Sequence, residues 1–126
     1  MINSILDTRF FAETDFSEPL QDAMNDSNLI FNANSLLDAG FRSGEEIEIA
    51  VERAKSVCMN SGVVISQHFK SIYVSDEGHH TVQRDWRLSR LAYTLSILNG
   101  SSDNPLVARL QMTILNAYFE KDKNQR

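Results

Sequence analysis

The fold is decided by a stretch in the second half of the chain, which reads Asp85-Trp86-Arg87-Leu88-Ser89-Arg90-Leu91-Ala92-Tyr93-Thr94-Leu95-Ser96-Ile97-Leu98-Asn99-Gly100. Apolar residues recur in it at helical spacing, at Leu88, Leu91, Ala92, Leu95 and Leu98. Asp85 is a residue type that caps helix N-termini, and Gly100 is one that ends helices. The stretch therefore predicts an amphipathic helix that packs through its leucine face. Packing alone explains this stripe, so it indicates a fold and says little about function.

A second helix is predicted after the glycine turn. Asp103 or Asn104 can cap it, and Pro105 suits its first position because that position needs no backbone N–H. Its predicted inner face consists of Val107, Leu110, Ile114 and Tyr118. Residues 121–126 are polar and are expected to fray into solvent.

The preceding residues predict a mixture of strand and helix. Residues 29–31 suit a short strand, and residues 33–39 suit a short helix closed by Gly40. Ser43 and Glu46 have the spacing of a capping box, and the apolar periodicity behind them predicts a helix over about residues 44–60. Residues 63–69 suit a strand or a short helix, of which we favour the helix, and residues 71–74 and 81–83 predict a hairpin. The expected fold is α+β: a mostly helical single domain with a small antiparallel β-hairpin.

Length and composition are those of one ordinary globular domain. The chain has 126 residues, of which 42% are hydrophobic and 23% charged, so wholesale disorder is not expected. The single cysteine, Cys58, excludes an internal disulfide framework and suits a reducing compartment. No apolar run approaches the roughly 18 residues of a membrane span, and residues 1–6 lack the features of a secretory signal. We expect a soluble, cytoplasmic protein without membrane insertion.

The net charge of −5 is concentrated at the N-terminus. Residues 1–27 carry one basic residue, Arg9, and the acidic residues Asp7, Glu13, Asp15, Glu18, Asp22 and Asp26. The rest of the chain is balanced in charge, whereas nucleic-acid binders usually carry a positive surplus. A protein partner is therefore favoured over DNA.

Residues 1–27 are predicted to form an acidic arm or short helix appended to a domain over residues 28–120. An acidic arm can occupy the basic DNA-binding surface of another protein. Its candidate partner-binding residues are Asp7, Glu13, Asp15, Glu18 and Asp22. A solubilising tail is the alternative.

No residue pattern predicts catalysis, a metal or a cofactor. His79 and His80 are adjacent in a polar loop and point different ways, whereas a zinc site needs about four ligands, so a solvated turn is favoured. Cys58 lies on an apolar helix face with no neighbouring base to activate it. Gly78 and Gly100 belong to no phosphate-binding pattern. We expect a protein that is not an enzyme and that holds no cofactor.

Three arginines form the remaining candidate site. Arg84, Arg87 and Arg90 are spaced three apart around the predicted helix start, so at least two can share a face beside the hairpin. Such a patch suits phosphates or an acidic partner. A solvated helix shoulder is the alternative.

Several blocks of sequence together resemble one known family. Residues 32–41 (NANSLLDAGF) look like a short helix that ends in a leucine-leucine-glycine-aromatic segment, and residues 50–62 (AVERAKSVCMNSG) are similar to the form I-x-K-A-x-x-A-C-x-x-S-G. Residues 88–93 (LSRLAY), followed by Asn99-Gly100, resemble the block L-S-R-Y-A-C-Y-L-I-x-x-N-G-D. Over residues 28–119 the chain thus resembles the DNA-damage-inducible protein D family, whose relatives include Bro-N-type domains of phage antirepressors. It departs from the family in residues 76–80, in lacking the C-terminal extension and in adding the acidic arm.

The resemblance implies a non-enzymatic regulator of phage or prophage type. Its implied role is that of an antirepressor, which binds and inactivates a transcriptional repressor in a switch linked to the DNA-damage (SOS) response. A modulator of the recombinase filament is one alternative, and a sequence-specific DNA-binding regulator acting through Arg84, Arg87 and Arg90 is another. A homo-oligomer is also expected, because apolar residues outside the family-like core can cross onto another subunit: Ile2, Ile5, Leu6, Phe10 and Phe11.

Overall fold

The structure, a computed structural model, describes residues 28–76 and 78–124. The predicted acidic arm lies outside the described residues, together with the apolar residues proposed to cross onto another subunit. The arm's candidate partner-binding residues are therefore not placed: Asp7, Glu13, Asp15, Glu18 and Asp22.

The described residues fold as a single α+β domain, as the sequence predicts. Strand β1 (Phe31–Asn32) leads through a 3-10 helix (Ala33–Ser35) into helices α1 (Leu36–Ala39) and α2 (Gly44–Ser61). A second 3-10 helix (Ile65–Gln67) precedes strands β2 (Phe69–Asp76) and β3 (Thr81–Leu88). Helices α3 (Arg90–Leu98) and α4 (Pro105–Asn124) complete the domain, and α4 extends four residues into the segment expected to fray.

Helix α2 has the boundaries that its capping residues dictate. The Ser43 hydroxyl accepts a hydrogen bond from the Glu46 N–H at 3.2 Å, and the Glu46 carboxylate accepts one from the Arg42 N–H at 2.9 Å. Both bonds satisfy backbone donors around the first turn, where a helix has no internal acceptors for them. Gly62 ends the helix in the left-handed conformation, with φ of 83°. The prediction for this helix is confirmed.

The three strands form an antiparallel sheet in the order β1-β3-β2. Strands β2 and β3 pair along their whole length, from Phe69 opposite Leu88 to Asp76 opposite Thr81. The predicted hairpin is confirmed and is longer than the sequence indicated. Strand β1 pairs only with the last two residues of β3, Arg87 and Leu88. The helix favoured for residues 63–69 is present only as the 3-10 turn Ile65–Gln67, because β2 begins at Phe69.

The predicted start of α3 is wrong. Asp85 belongs to β3, and the helix begins at Arg90 with Ser89 as its cap, whose hydroxyl accepts from the Ala92 N–H at 3.1 Å. Leu88 fits a helical spacing, yet it also alternates with Trp86 on the buried face of a strand. Sheet pairing therefore overrides the helical pattern as far as Leu88.

The predicted leucine face of α3 is only partly correct. Ala92, Ser96 and Ile97 are the buried residues of this helix, and Leu91 and Leu98 lie at the surface. Small side chains at Ala92 and Ser96 allow the close approach of α2, which is the main helix partner of α3.

Helix α4 is capped as the sequence predicts, but its inner face is shorter than expected. The Asn104 side-chain oxygen accepts from the Leu106 N–H at 3.1 Å, and its amide donates to Gly40 O at 2.8 Å and to Glu46 Oε1 at 3.0 Å. Asn104 thus fixes the start of α4 to α1 and α2. Leu110 and Ile114 pack against the core, but Tyr118 is exposed, because the helix continues beyond the core.

One core joins the sheet to the helices. Its buried apolar residues come from each of the four described α-helices, from the first 3-10 helix, from the loop after α1 and from the end of the hairpin. The largest are Leu36, Phe41, Ile47, Val51, Phe69, Trp86, Leu88, Ile97 and Val107. In the part of the chain that the structure describes, every helix is too short or too polar to cross a membrane.

Two glycines near this core give a matched test of the fold. Gly40 has φ of 123°, and a Cβ added there would lie 2.5 Å from Leu106 Cβ. Gly40→Ala should therefore lower the free energy of unfolding by roughly 2–4 kcal/mol. Gly44→Ala, with nothing within 4 Å of the added Cβ, should change it by less than about 1 kcal/mol. Chemical denaturation of both variants measures the difference; equal effects would contradict the packing described for α4.

Candidate protein-binding cleft

A cleft of about 500 Å³ opens where β3 loses its β1 neighbour. It lies between β3, the first 3-10 helix and the beginning of α2, and it combines apolar, aromatic and charged side chains. Its lining residues are Ala33, Asn34, Leu37, Gly44, Ile47, Glu48, Gln83, Arg84, Asp85 and Trp86. A lining that combines apolar and charged side chains suits a ligand that presents both polar backbone groups and side chains.

A buried carboxylate forms the inner end of this cleft. Asp85 is 5% exposed, and its Oδ1 accepts hydrogen bonds from the Asn34 N–H at 3.0 Å and the Trp86 N–H at 2.7 Å. Asn34 lies in the 3-10 helix, whose first N–H groups have no internal partner. Asp85 therefore holds this helix against β3 at the point where the β1–β3 pairing stops.

A cluster of charged side chains surrounds the indole of Trp86 on the wall of the cleft. The Trp86 Nε1–H donates to Glu48 Oε2 at 3.0 Å. The Arg84 guanidinium lies 4.3 Å and the Lys55 ammonium 4.7 Å from the ring centroid. Arg84 also pairs with Glu48 at 3.4 Å and donates to the Ser71 hydroxyl at 3.0 Å. Both cations lie within the range of cation–π attraction, so the wall is held in one geometry.

The edge of β3 that faces the cleft carries backbone groups available for pairing. The Ser89 N–H bonds to His68 O on the β2 side, whereas the Trp86 N–H bonds to the Asp85 carboxylate. Backbone groups of successive strand residues point in alternate directions, so Arg84 directs its N–H and C=O away from β2. Among the described residues, no strand pairs with β3 on that side before Arg87. Within the part of the chain that the structure describes, this half of β3 is therefore an open strand edge.

The hairpin beyond the cleft also exposes apolar side chains. Tyr73 and Val82 are 72% and 67% exposed, and Val74 is exposed as well. Tyr73 lies directly opposite Arg84 in the pairing register. Exposed aromatic and β-branched residues beside an open strand edge are typical of protein-contacting surfaces.

The three candidate arginines do not form one patch. Arg84 and Arg87 are both in β3 and, being three residues apart, they point to opposite faces of the sheet. Arg90 is the first residue of α3, beside a different cleft. The predicted helix start at Asp85 between them is therefore wrong, because residues 84–88 are strand, and Arg84 and Arg87 do not share a face. Arg84 alone lines the cleft at the open edge.

Trp86, Glu48 and Lys55 were not predicted as a site from the sequence. The alternation of Arg84, Trp86 and Leu88 is the period-2 signal that a strand would give. The strand signal was missed because the same residues were interpreted as the start of a helix. Glu48 and Lys55 reach the indole from α2, and this contact depends on tertiary packing that a local pattern does not contain.

A second cleft of about 380 Å³ contains a hydrogen-bonded histidine and serine. His68 Nδ1 lies 2.7 Å from Ser89 Oγ. Because Ser89 Oγ already accepts from the Ala92 N–H, its own hydroxyl proton is available to donate to the neutral imidazole. Burial lowers the pKa of His68, which favours that neutral form. Ser89 is itself buried and serves as the cap of α3, so the pair ties the start of this helix to the residue that precedes β2.

The other titratable candidates have structural positions. Cys58 is buried on the inner face of α2, and burial raises the pKa of its thiol, which disfavours the reactive thiolate. His79 and His80 are exposed in the hairpin turn, where His80 adopts φ of 52°. Nowhere in residues 28–76 and 78–124 do three or more His, Cys, Asp or Glu side chains gather as a metal site would require.

Comparisons with known proteins found no counterpart. No protein-family model matches the chain, and no curated protein and no solved structure is significantly similar to it.

The burial of His68 predicts a pH dependence of stability. The pKa of His68 is lower in the folded chain than its ordinary value of about 6.5, so the unfolded chain binds more protons as the pH falls through that value. This contribution to stability is therefore present above about pH 6.5 and is lost progressively below it. Denaturation of the wild type and of His68→Gln across this range should show a shallower pH dependence in the variant. His80→Asn, at an exposed position, should keep the wild-type dependence, and identical profiles for all three proteins would contradict the assignment.

Proposed function

We propose that this chain is a non-enzymatic regulator of the antirepressor type, which binds a transcriptional repressor by adding an extended segment of it to the open edge of β3. The observation that carries the proposal is the edge itself. Arg84 directs backbone donor and acceptor groups into a cleft whose walls are already fixed by Asp85 and Trp86.

Strand addition explains how so small a surface could bind a partner. Main-chain hydrogen bonds to the edge supply affinity, and pockets for alternate side chains supply specificity. Arg84 and Tyr73 are exposed and are of the residue types that dominate binding energies at interfaces, whereas the buried Trp86 supports Arg84 from behind. The hydrogen bonds and ring contacts around Trp86 hold the wall in place before the partner arrives, which reduces the entropic cost of binding.

Charge supports a protein partner over nucleic acid. Acidic and basic residues balance outside residues 1–27, and Arg84 and Arg87 point to opposite faces of the sheet. A single phosphate-binding patch built from the three arginines is therefore not supported. The likeness of residues 28–119 to the DNA-damage-inducible protein D family supports a repressor as the partner, and cytoplasmic action follows from that role.

Release of a repressor from its operator tests the proposal. Candidate repressors bound to operator DNA are titrated with the full chain, and release is followed by gel shift. The proposal predicts release of at least one repressor without binding of the chain to DNA alone. If no repressor is released and the chain instead slows strand exchange by a purified recombinase filament, the filament modulator replaces the antirepressor.

Two substitutions of Arg84 distinguish the contribution of the backbone strand edge to partner binding from that of the side chain. Arg84→Ala removes the guanidinium and keeps the backbone N–H. Arg84→Pro also removes the N–H, at a position where it faces away from β2, so the hairpin should survive. We expect Arg84→Pro to weaken partner binding roughly tenfold more than Arg84→Ala, because it removes a main-chain hydrogen bond at a partly desolvated edge. Calorimetric titration, with a thermal melt of each variant as the folding control, measures this ratio. Equal affinities of the two variants would contradict strand addition.

A further inference from the structure

Helix α4 carries a second apolar stripe in addition to its buried face. The buried face consists of Val107, Leu110 and Ile114. The second stripe has a spacing of four, three and four residues, and its centre lies roughly 140° around the helix from the centre of the buried face. Its members are Ala108, Met112, Leu115 and Phe119.

Three of the four members of this stripe are exposed, and Ala108 is half-buried. Met112 and Phe119 are 56% and 61% exposed, and Leu115 is exposed as well. Tyr118 borders the stripe and contacts Phe119 edge to face, with 5.6 Å between the ring centroids. A four-three-four spacing of apolar residues is the pattern through which one helix packs against another.

The second half of α4 projects beyond the domain. With 20 residues it is about 30 Å long, whereas the nine residues of α3, its neighbour, span only about 14 Å. Ile114 is the last residue of α4 that packs against the core, and residues 115–121 are all exposed. The projecting part is therefore accessible to another helix along its length.

We propose that α4 pairs antiparallel with α4 of a second copy of this chain through the stripe Ala108–Met112–Leu115–Phe119. A two-fold axis midway between Met112 and Leu115 places Met112 against Leu115 of the second copy, and Ala108 against Phe119. A small residue thus meets a large one at each end of the seam, which is how facing side chains interdigitate.

Charge complementarity supports a second copy as the occupant and fixes the orientation. Arg109 and Glu120 are both exposed and lie about 20° apart along the same polar edge of α4. They are 11 residues apart in sequence, so about 16 Å of helix separates them within one chain and they cannot pair there. Under the two-fold axis this edge lies beside the same edge of the second copy, with Arg109 about 3 Å along the axis from Glu120 of that copy. The interface therefore gains two equivalent ion pairs.

The oligomeric state of the full chain tests the interface. Light scattering coupled to size exclusion should give the wild type a mass of about twice 14.3 kDa at high micromolar concentration. Leu115→Glu places a charge in the seam and should give the monomer mass. Met59→Glu makes the same kind of change at an exposed residue of α2 and should leave the dimer intact. A thermal melt confirms that each variant is folded.

Charge reversal tests the antiparallel arrangement independently of the seam. Arg109→Glu alone and Glu120→Arg alone each juxtapose like charges twice, and each should raise the dimer dissociation constant by roughly tenfold. The double variant Arg109→Glu/Glu120→Arg restores both pairs with opposite polarity and should return the dissociation constant to near the wild-type value.

Three results would overturn the proposal. A monomeric wild type would mean that no second copy occupies the stripe, and a dimer that persists in Leu115→Glu would place the interface elsewhere. A double reversal that is no tighter than the single reversals would exclude the antiparallel pairing. The interface does not depend on the function proposed for the cleft. Its test measures dimerisation through α4, whereas the test of the cleft measures binding of a partner at the edge of β3.

Discussion

The buried carboxylate of Asp85 is the constraint on which the arrangement of the cleft depends. One oxygen of this side chain accepts the Asn34 N–H and the Trp86 N–H, two donors that are 52 residues apart in the sequence. Leaving either donor unsatisfied in the interior would cost roughly 1–3 kcal/mol. The bond from Asn34 replaces the strand pairing that β1 would otherwise continue, so the chain turns away from β3 there and leaves this edge without a strand partner among the described residues. The same side chain thus ends the sheet on one side and creates the cleft.

The described domain has two parts: one in which hydrogen bonds connect the elements, and one that is exposed. Asn104 and Glu46 connect α4 to α1 and α2, and Ser89 connects the start of α3 to His68, the residue that precedes β2. These contacts hold the helices and the base of the hairpin in fixed positions. The distal hairpin and the second half of α4 lie outside that network and expose apolar side chains such as Tyr73 and Phe119. Exposed apolar surface on a rigid support is the property that both proposed interfaces use.

The sequence predicted most of the elements because their signals are local. The cap at Ser43 and the apolar periodicity behind it define α2, and Asn104 with Pro105 defines the start of α4. The beginning of α3 was wrong because Leu88 satisfies a helical spacing and a strand alternation equally well. Only the pairing of residues 81–88 with β2 decides between the two, and that pairing is not visible in a window of a few residues.

The candidate site was less predictable than the fold for the same reason. Arg84 was identified from its charge, but its neighbours on the site come from distant segments: Glu48 and Lys55 from α2, and Asn34 from the first 3-10 helix. The cleft depends on tertiary contacts such as Asn34–Asp85 and Glu48–Trp86, whose partners are 51 and 38 residues apart in sequence, and a local motif cannot show such contacts.

We propose that the β3 edge at Arg84 is open in the free protein and becomes paired in the complex. Residue-resolved amide hydrogen exchange by NMR tests it most directly. In the free chain the Arg84 N–H should exchange quickly while the Gln83 and Asp85 N–H groups, which face β2, exchange slowly. Addition of the partner should slow exchange at Arg84 by a large factor and leave its two neighbours unchanged. Protection of the Arg84 amide already in the free protein would contradict an open edge, and its continued fast exchange in the complex would contradict strand addition.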